Sequence, residues 1–294
     1  MTTHTLITDD DLHLRLHVRR WPATARGAAT ARGTVQIVHG LGEHVGRYEH
    51  VAAALNATGW HVLAHDQRGH GRSEGRRGAL PHPVALLADV TQVMDNFRDG
   101  GRHVLLGHSM GGLVAARHVA EGLAELPARW QREVDALVLS SPALDPGMNG
   151  LQKLLLAVLG PLAPGLALGN GLQPAWISRD PSVVAAYTAD PLVHDRVTPA
   201  LVRFIVDGGA LVRQLAPRWR VPTLLMWAGA DRCVAPAGSA AFASAAPGGV
   251  LTARQWPGLA HEIFNEPERA EVIGALTQWL GRPYTGRPPE EHAA

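Results

Sequence analysis

The chain has 294 residues, 46% of them apolar, with 32 glycines and 21 prolines; this is an ordinary globular composition that excludes collagen-like, low-complexity and disulfide-scaffold classes. Its 27 basic and 26 acidic side chains leave a net charge of +1, so no bulk field attracts nucleic acid, and Lys153 is the only lysine among the cations. A single cysteine, Cys233, allows neither an internal disulfide nor a zinc cluster, and no metal or cofactor is expected.

Residues 1–11 are polar and acidic and lack an apolar leader, which predicts no signal peptide and a cytoplasmic protein. Residues 4–8 and the strictly alternating 12–18 (L-H-L-R-L-H-V) predict an opening hairpin around Asp9-Asp10-Asp11. A soft Ala/Arg/Gly loop follows at 21–32. Short apolar runs at 34–38, 60–64, 103–106, 136–139, 223–227 and 251–255 then predict strands, each leading into a cluster of chemistry-bearing residues. Helical periodicity falls between most of them, at 48–57, 84–97, 112–123, 237–246 and 268–280. Strands alternating with helices predict an α/β protein with a parallel sheet covered on both faces. Residues 143–217 break the alternation and read as an inserted, mostly helical cap on a core made of 1–142 and 218–281, with a frayed tail at 282–294. Within the insertion, 151–168 approaches the length of a membrane span, about 17–20 residues. Lys153, Gly160, Pro161, Pro164 and Gly165 interrupt it, so no span is expected.

The sharpest motif is G-H-S-M-G-G at 107–112, a G-x-S-x-G directly after a strand and directly before a helix. A serine there sits on a strained turn that lifts its Oγ above the sheet. Gly107 and Gly111 flank it because a Cβ would clash in so tight a turn. The following helix N-terminus favours a developing oxyanion. Ser109 is therefore the candidate nucleophile. A serine hydroxyl needs a base, and the base needs an orienting carboxylate, in the order Ser…Asp…His. Asp231 follows the 223–227 strand and His261 the 251–255 strand. Both stand at C-terminal strand ends, the edge where open α/β sheets place ligands. Asp145, after the previous strand, competes with Asp231, and the triad order favours Asp231. The oxyanion donors are expected from the backbone N–H groups of Met110 and of Leu41, the latter in the Gly-rich loop H-G-L-G-E-H at 39–44. The cluster H-D-Q-R-G-H-G-R-S at 65–73 reads as structural, with Asp66 and Arg68 bracing the rim. It lacks the phosphate-loop pattern.

These motifs resemble the α/β-hydrolase superfamily and, within it, the monoacylglycerol lipase and lysophospholipase group, classed in part with the serine aminopeptidases. The resemblance is carried by H-G-L-G-E-H-V-G-R-Y at 39–48, D-Q-R-G-H-G-R-S at 66–73, G-H-S-M-G-G, I-S-R-D at 177–180, D-P-L-V at 190–193, A-D-R at 230–232 and H-E at 261–262. It implies an eight-stranded, mostly parallel sheet with an inserted helical cap, and Ser109, Asp231 and His261 as nucleophile, acid and base. It implies further that Glu43 and Arg47 lie near the alcohol end of the substrate. One departure stands out: Phe264 occupies the place of a second histidine in mammalian-type monoacylglycerol lipases.

The function expected is a metal-independent serine hydrolase of single-chain acyl esters, monoacylglycerol-like. A lysophospholipase or broad carboxylesterase is the nearest alternative, and a non-catalytic lipid-binding protein on the same scaffold is the alternative of another class. The partner expected is a small lipid ester. The leucines of the insertion (Leu154, Leu155, Leu156, Leu159, Leu162, Leu166) leave two readings open. They form a small core of their own, or they form an apolar channel or surface that takes an acyl chain or touches a membrane. Trp176, Trp219 and Trp227 are candidates for the wall of such a channel. Oligomeric state is not legible.

Overall fold

The computed structural model describes residues 1–23 and 31–282; part of the 21–32 loop and the tail from 283 lie outside the described residues. An opening hairpin pairs β1 (Thr2–Ile7) with β2 (Arg15–Trp21) in antiparallel register, Thr2 opposite Arg20. The alternating pattern at 12–18 overshoots the strand at its start. Leu12 is exposed, and His13 has φ +47°, which takes both into the turn. The Thr8 and Leu14 backbones close that turn, and β2 begins after it.

Six strands follow the predicted runs: β3 (Gly33–Val38), β4 (His61–His65), β5 (Arg102–His108), β6 (Ala136–Ser140), and, after the long insertion, two more at the far edge. Helices α1 (Glu49–Ala57), α2 (Ala85–Phe97) and α3 (Met110–Glu121) connect the first of them. Between β6 and the seventh sheet strand lie α4 (Gly150–Leu162), β7 (Leu168–Gly169), α5 (Pro181–Ala189), β8 (Arg196–Val197) and α6 (Pro199–Leu215). β7 and β8 form a separate antiparallel pair. Then come β9 (Thr223–Ala228), α7 (Pro236–Ala245), β10 (Leu251–Trp256) and α8 (Arg269–Gly281).

The eight-stranded sheet runs β1-β2-β4-β3-β5-β6-β9-β10, parallel from β4 onward. Two apolar layers sandwich it, as the period of two along central strands requires. On β5, Leu105 joins the layer under α2, α3, α6 and α7, while Val104 and Leu106 join the layer under α1 and α8. Buried Gln36 on β3 is satisfied by the Val90 carbonyl (3.0 Å) and by the His103 ring (3.0 Å).

The insertion is tied into this frame at its carboxyl end. α6 is capped by the Thr198 hydroxyl, and it buries Leu201, Phe204, Ile205 and Val212 against α3 and its neighbours. α4 differs. Asn149 and Gln152 make a capping box at its start, and Pro161 sits in its last turn without ending it earlier. No residue of α4 is buried, and Leu151, Leu154, Leu155, Val158 and Leu162 are exposed, so its leucines do not form a core of their own.

Candidate active site

β5 ends at His108 and α3 begins at Met110, which leaves Ser109 alone between them at φ +54° and ψ −121°. A β-carbon is strained in that conformation, and the surroundings over-determine it. The Ser109 N–H donates to the Ser140 carbonyl (3.0 Å), and its own carbonyl accepts from Leu113 (3.1 Å) and Ala143 (2.9 Å). The flanking glycines are required as the sequence argued. A Cβ on Gly107 would collide with the Gly111 carbonyl, and one on Gly111 with the carbonyls of Val38 and His39.

Asp231 and His261 come together from the ends of β9 and β10. His261 Nδ1 and Asp231 Oδ2 are 2.7 Å apart, and both side chains are nearly fully covered. Asp145 instead accepts the Gly147 N–H (2.8 Å), a local turn contact. The second oxygen of Asp231 accepts the N–H groups of Cys233 (2.8 Å) and Val234 (3.0 Å). Burial pushes the Asp231 carboxyl up, but His261 and those backbone donors outweigh it and hold the group below its ordinary value. Burial likewise pushes the His261 imidazole down, while the Asp231 charge and hydrogen bond win and raise it above its ordinary value. With Nδ1 committed to Asp231, Nε2 is the nitrogen left for proton transfer. The His108 ring packs 4.8 Å from the His261 ring, and burial, then His261, depresses it to about 4, so a neutral ring lies beside His261.

The loop between β3 and α1 approaches Ser109 closely: a Cβ on Gly40 would lie 3.1 Å from Ser109 Cβ. Met110 opens α3, so its N–H has no partner within the helix. Among the described residues the Leu41 N–H makes no hydrogen bond. Glu43 shapes this loop from within. Its Oε1 accepts the Gly40 N–H and the Tyr48 hydroxyl, each at 2.6 Å, and Arg47 donates to its Oε2 at 2.8 Å. Arg47 also grips Glu262 with both Nη groups (2.5 and 2.6 Å). Burial works against the Glu43 charge, but Arg47 first and the neighbouring histidines after it hold the carboxyl well below its usual range. This carboxylate–guanidinium–carboxylate chain joins the loop before α1 to the residue after His261, a link across 215 positions that no local pattern could disclose. Phe264 is buried with Ile263 in the apolar layer, and its carbonyl accepts a bond from the His50 ring.

The insertion roofs the candidate site and is bonded to the loop after β3 and the loop after β10. The His194 N–H donates to the Gly42 carbonyl (2.9 Å), and Asp190 pairs with His44 (2.8 Å). Gly42, at φ +78°, has no room for a Cβ beneath the His194 carbonyl. On the other side the Glu262 N–H donates to the Ile177 carbonyl (2.8 Å). Buried Glu266 accepts from Ala260, Ser178 and Arg179 together. The I-S-R-D and D-P-L-V motifs thus serve as fasteners, and Asp180 and Pro181 also start α5. The same holds for the 65–73 cluster. Asp66 accepts the Val45 and Arg72 N–H groups, and Arg68 is clamped by Asp89 and Asp10.

Beneath that roof lies a cleft of about 410 Å³ lined by Leu41, Ser109, His261, Ile177, Tyr187 and Val193 among others. Among the described residues no lysine or arginine lines it. Trp219 and Trp227 are buried in the α6-side layer, and Trp176 lies under the Arg232 guanidinium (4.8 Å), so none of the three walls the cleft. Ligand atoms of Asp231, Cys233 and His261 cluster within 4.8 Å. The chemistry does not suit a metal, because burial and then the Asp231 charge push the Cys233 thiol up, away from the thiolate a metal takes, and Nδ1 of His261 is engaged.

A family model described as serine aminopeptidase, S33, matches residues 29–268. The chain is 38% identical over 263 residues to a monoacylglycerol lipase of Mycolicibacterium smegmatis, covering 85% of this chain and 88% of that one. It is 31% identical over 247 residues to phospholipase YtpA of Bacillus subtilis, covering 82% and 92%. Among solved structures, the monoacylglycerol lipase of Paleococcus ferrophilus superposes with a TM-score of 0.79 at 34% identity, covering 90% of this chain and 98% of that one.

Proposed function

Since this chain belongs to the serine aminopeptidase S33 family of α/β-hydrolases and is a carboxylic ester hydrolase, we propose that it cleaves neutral single-chain acyl esters, monoacylglycerol-like, through Ser109, His261 and Asp231. The observation that carries this reading is the strained Ser109 turn facing the same cleft as an imidazole already locked onto a carboxylate.

In the proposed reaction Ser109 Oγ attacks the acyl carbonyl carbon while its proton passes to His261 Nε2. Asp231 holds the imidazole in the accepting tautomer and stabilises the imidazolium. The carbonyl oxygen, now an oxyanion, takes hydrogen bonds from the Leu41 and Met110 N–H groups. Collapse breaks the ester C–O bond, and the alcohol leaves with the proton from His261. Water, deprotonated by the same nitrogen, then releases the fatty acid from the acyl-enzyme.

Glu43 and Arg47 act here through the loop they brace, since their polar atoms are spent on Gly40, Tyr48, Glu262 and each other. A neutral alcohol is favoured over a phosphate head group because the cleft offers no lysine or arginine to an anion. The exposed leucines of α4 support contact with a lipid surface as the route by which a poorly soluble substrate arrives. No helix among the described residues is long and apolar enough to cross a membrane.

The test is covalent labelling by a fluorophosphonate together with an ester panel. Ser109→Ala should lose the label and about 10⁶-fold in kcat. Monoacylglycerols should be cleaved faster than lysophospholipids of equal chain length. Undiminished turnover in Ser109→Ala refutes the nucleophile, and a preference for lysophospholipid refutes the head-group reading.

A further inference from the structure

A second groove, of about 700 Å³, shares no lining residue with the cleft at Ser109. It runs between the β1–β2 turn, the loop before α2, the carboxyl end of α4 and the outer face of α6. Its volume falls in the range of small-molecule sites, roughly 300–1,000 Å³. Leu12, Leu14, Leu80 and Phe204 supply apolar lining, and three guanidinium groups, those of Arg76, Arg117 and Arg203, border it.

Two of those three cations, Arg76 and Arg203, lack a neutralising partner among the described residues. Among the described residues neither Arg76 nor Arg203 has a carboxylate within ion-pair distance, whereas Arg68, which also lines the groove, is saturated by Asp89 and Asp10. Arg117 gives one Nη to Glu121 (2.6 Å) and lies 5.5 Å from the Phe204 ring, and its buried Nε has no partner. Asp207 is the single carboxylate among the lining residues. Glycines shape this end: a Cβ on Gly160, in α4, would come 2.7 Å from Arg203 Nη2, and one on Gly165, in the turn after α4, would meet Arg76 Nη1 at 3.8 Å, an ordinary contact.

An apolar trough with unspent guanidinium donors at its border matches one ligand chemistry, a single hydrocarbon chain ending in an anion. We propose that this groove binds a long-chain fatty acid, carboxylate against Arg203, Arg76 and Arg117 and chain against Phe204 and the leucines, as a lipid site separate from the Ser109 cleft. The inference stands on the groove's own shape and charge and does not depend on the catalytic assignment.

The experiment uses the whole purified protein and the fluorescent acid cis-parinarate, displaced by saturated fatty acids and by fatty alcohols of matched length. Binding should be saturable and should persist after fluorophosphonate occupies the Ser109 cleft. Each two-carbon extension should tighten it about tenfold. The alcohol should bind about tenfold more weakly than the acid. Arg76→Gln with Arg203→Gln should weaken the acid about tenfold while a short-chain nitrophenyl ester turns over as before. Gly165→Phe, which puts an aromatic ring at the Arg76 end of the groove and leaves every cation in place, should block binding sterically, and so covers the case in which the arginine pair fails to fold. Absence of saturable binding, equal affinity for the alcohol, or loss of binding on fluorophosphonate treatment overturns the proposal. A protein that takes no label defeats the Ser109 assignment separately and leaves the arginine and Gly165 variants to decide the groove.

Discussion

The imidazole of His261 is raised by its contact with Asp231 despite full burial. A general base works only when unprotonated, so its raised value sets the acidic limb of the rate profile. That limb should have its midpoint above the ordinary histidine value of 6.5. Asp231→Asn removes the charge that raises the group. The limb should then move to lower pH, with kcat reduced about 10⁴-fold. A pH–kcat/KM profile of both proteins checks the shift, and an unmoved limb defeats the assignment. At Gly111 the outcome is structural. Gly111→Ala puts a methyl into the carbonyls of Val38 and His39, so the turn at Ser109 cannot form as it stands, and labelling by fluorophosphonate should fail even in whatever protein remains folded. The tight turn at Ser109 and the placing of Asp231 and His261 at neighbouring strand ends were legible because each residue follows a strand and carries a chemistry few other residue types supply. The hydrogen-bond partners of Glu43, Arg47 and Glu262 were not. Their partners lie up to 215 positions apart, and only the folded chain shows that their donors and acceptors are spent on one another.

At the scale of elements, the sheet strands could be read because buried parallel strands are short, continuous apolar runs ended by turn residues. The exceptions are physical. The alternation at 12–18 ran through a turn, since period two continues in any extended chain that happens to carry the right residues. The leucine periodicity of α4 is real, but α6 covers only part of it, leaving Leu156 and Leu159 half-buried and Leu151, Leu154, Leu155 and Leu162 exposed. Arg68 shows how a loop can staple two other parts of the fold. It holds Asp89 on α2 with two bonds of 2.6 Å and Asp10 in the β1–β2 turn with a third. Arg68 and Asp89 are both buried, so Arg68→Met leaves a carboxylate without its partner and should cost about 3–5 kcal/mol. Denaturant unfolding measures this, and a loss below about 1 kcal/mol would show that the clamp is dispensable.

For the whole molecule, two regions carry opposite characters. The central strands and α3 are buried in the apolar layers, whereas α4 presents leucines to solvent. Leu154→Gln with Leu155→Gln should leave turnover of a water-soluble short-chain ester unchanged and lower binding to phosphatidylcholine vesicles by about tenfold, read by co-sedimentation. Equal sedimentation of the variant and the parent argues against a lipid-facing helix. Global stability should also depend on acid. The Glu43 carboxyl is held below its ordinary value of 4.5, so the stability it contributes is present above that value and is lost as pH falls through its lower folded-state value. Glu43→Gln should flatten this part of the stability–pH curve in urea titrations, and an unchanged slope would locate the acid sensitivity elsewhere.

The fastenings at Gly42, His44, Ile177 and Glu266 have a mechanical corollary. Any motion that lifts the chain between 177 and 195 pulls at once on the loop that would cradle the oxyanion and on the loop that carries the imidazole. Admission by hinging that stretch would dismantle the apparatus it admits to. The chain from α4 to residue 169 has no such tie to either loop: its bonds run to 196–200 instead, and α4 within it has no buried residue, so displacement there would leave both loops where they are.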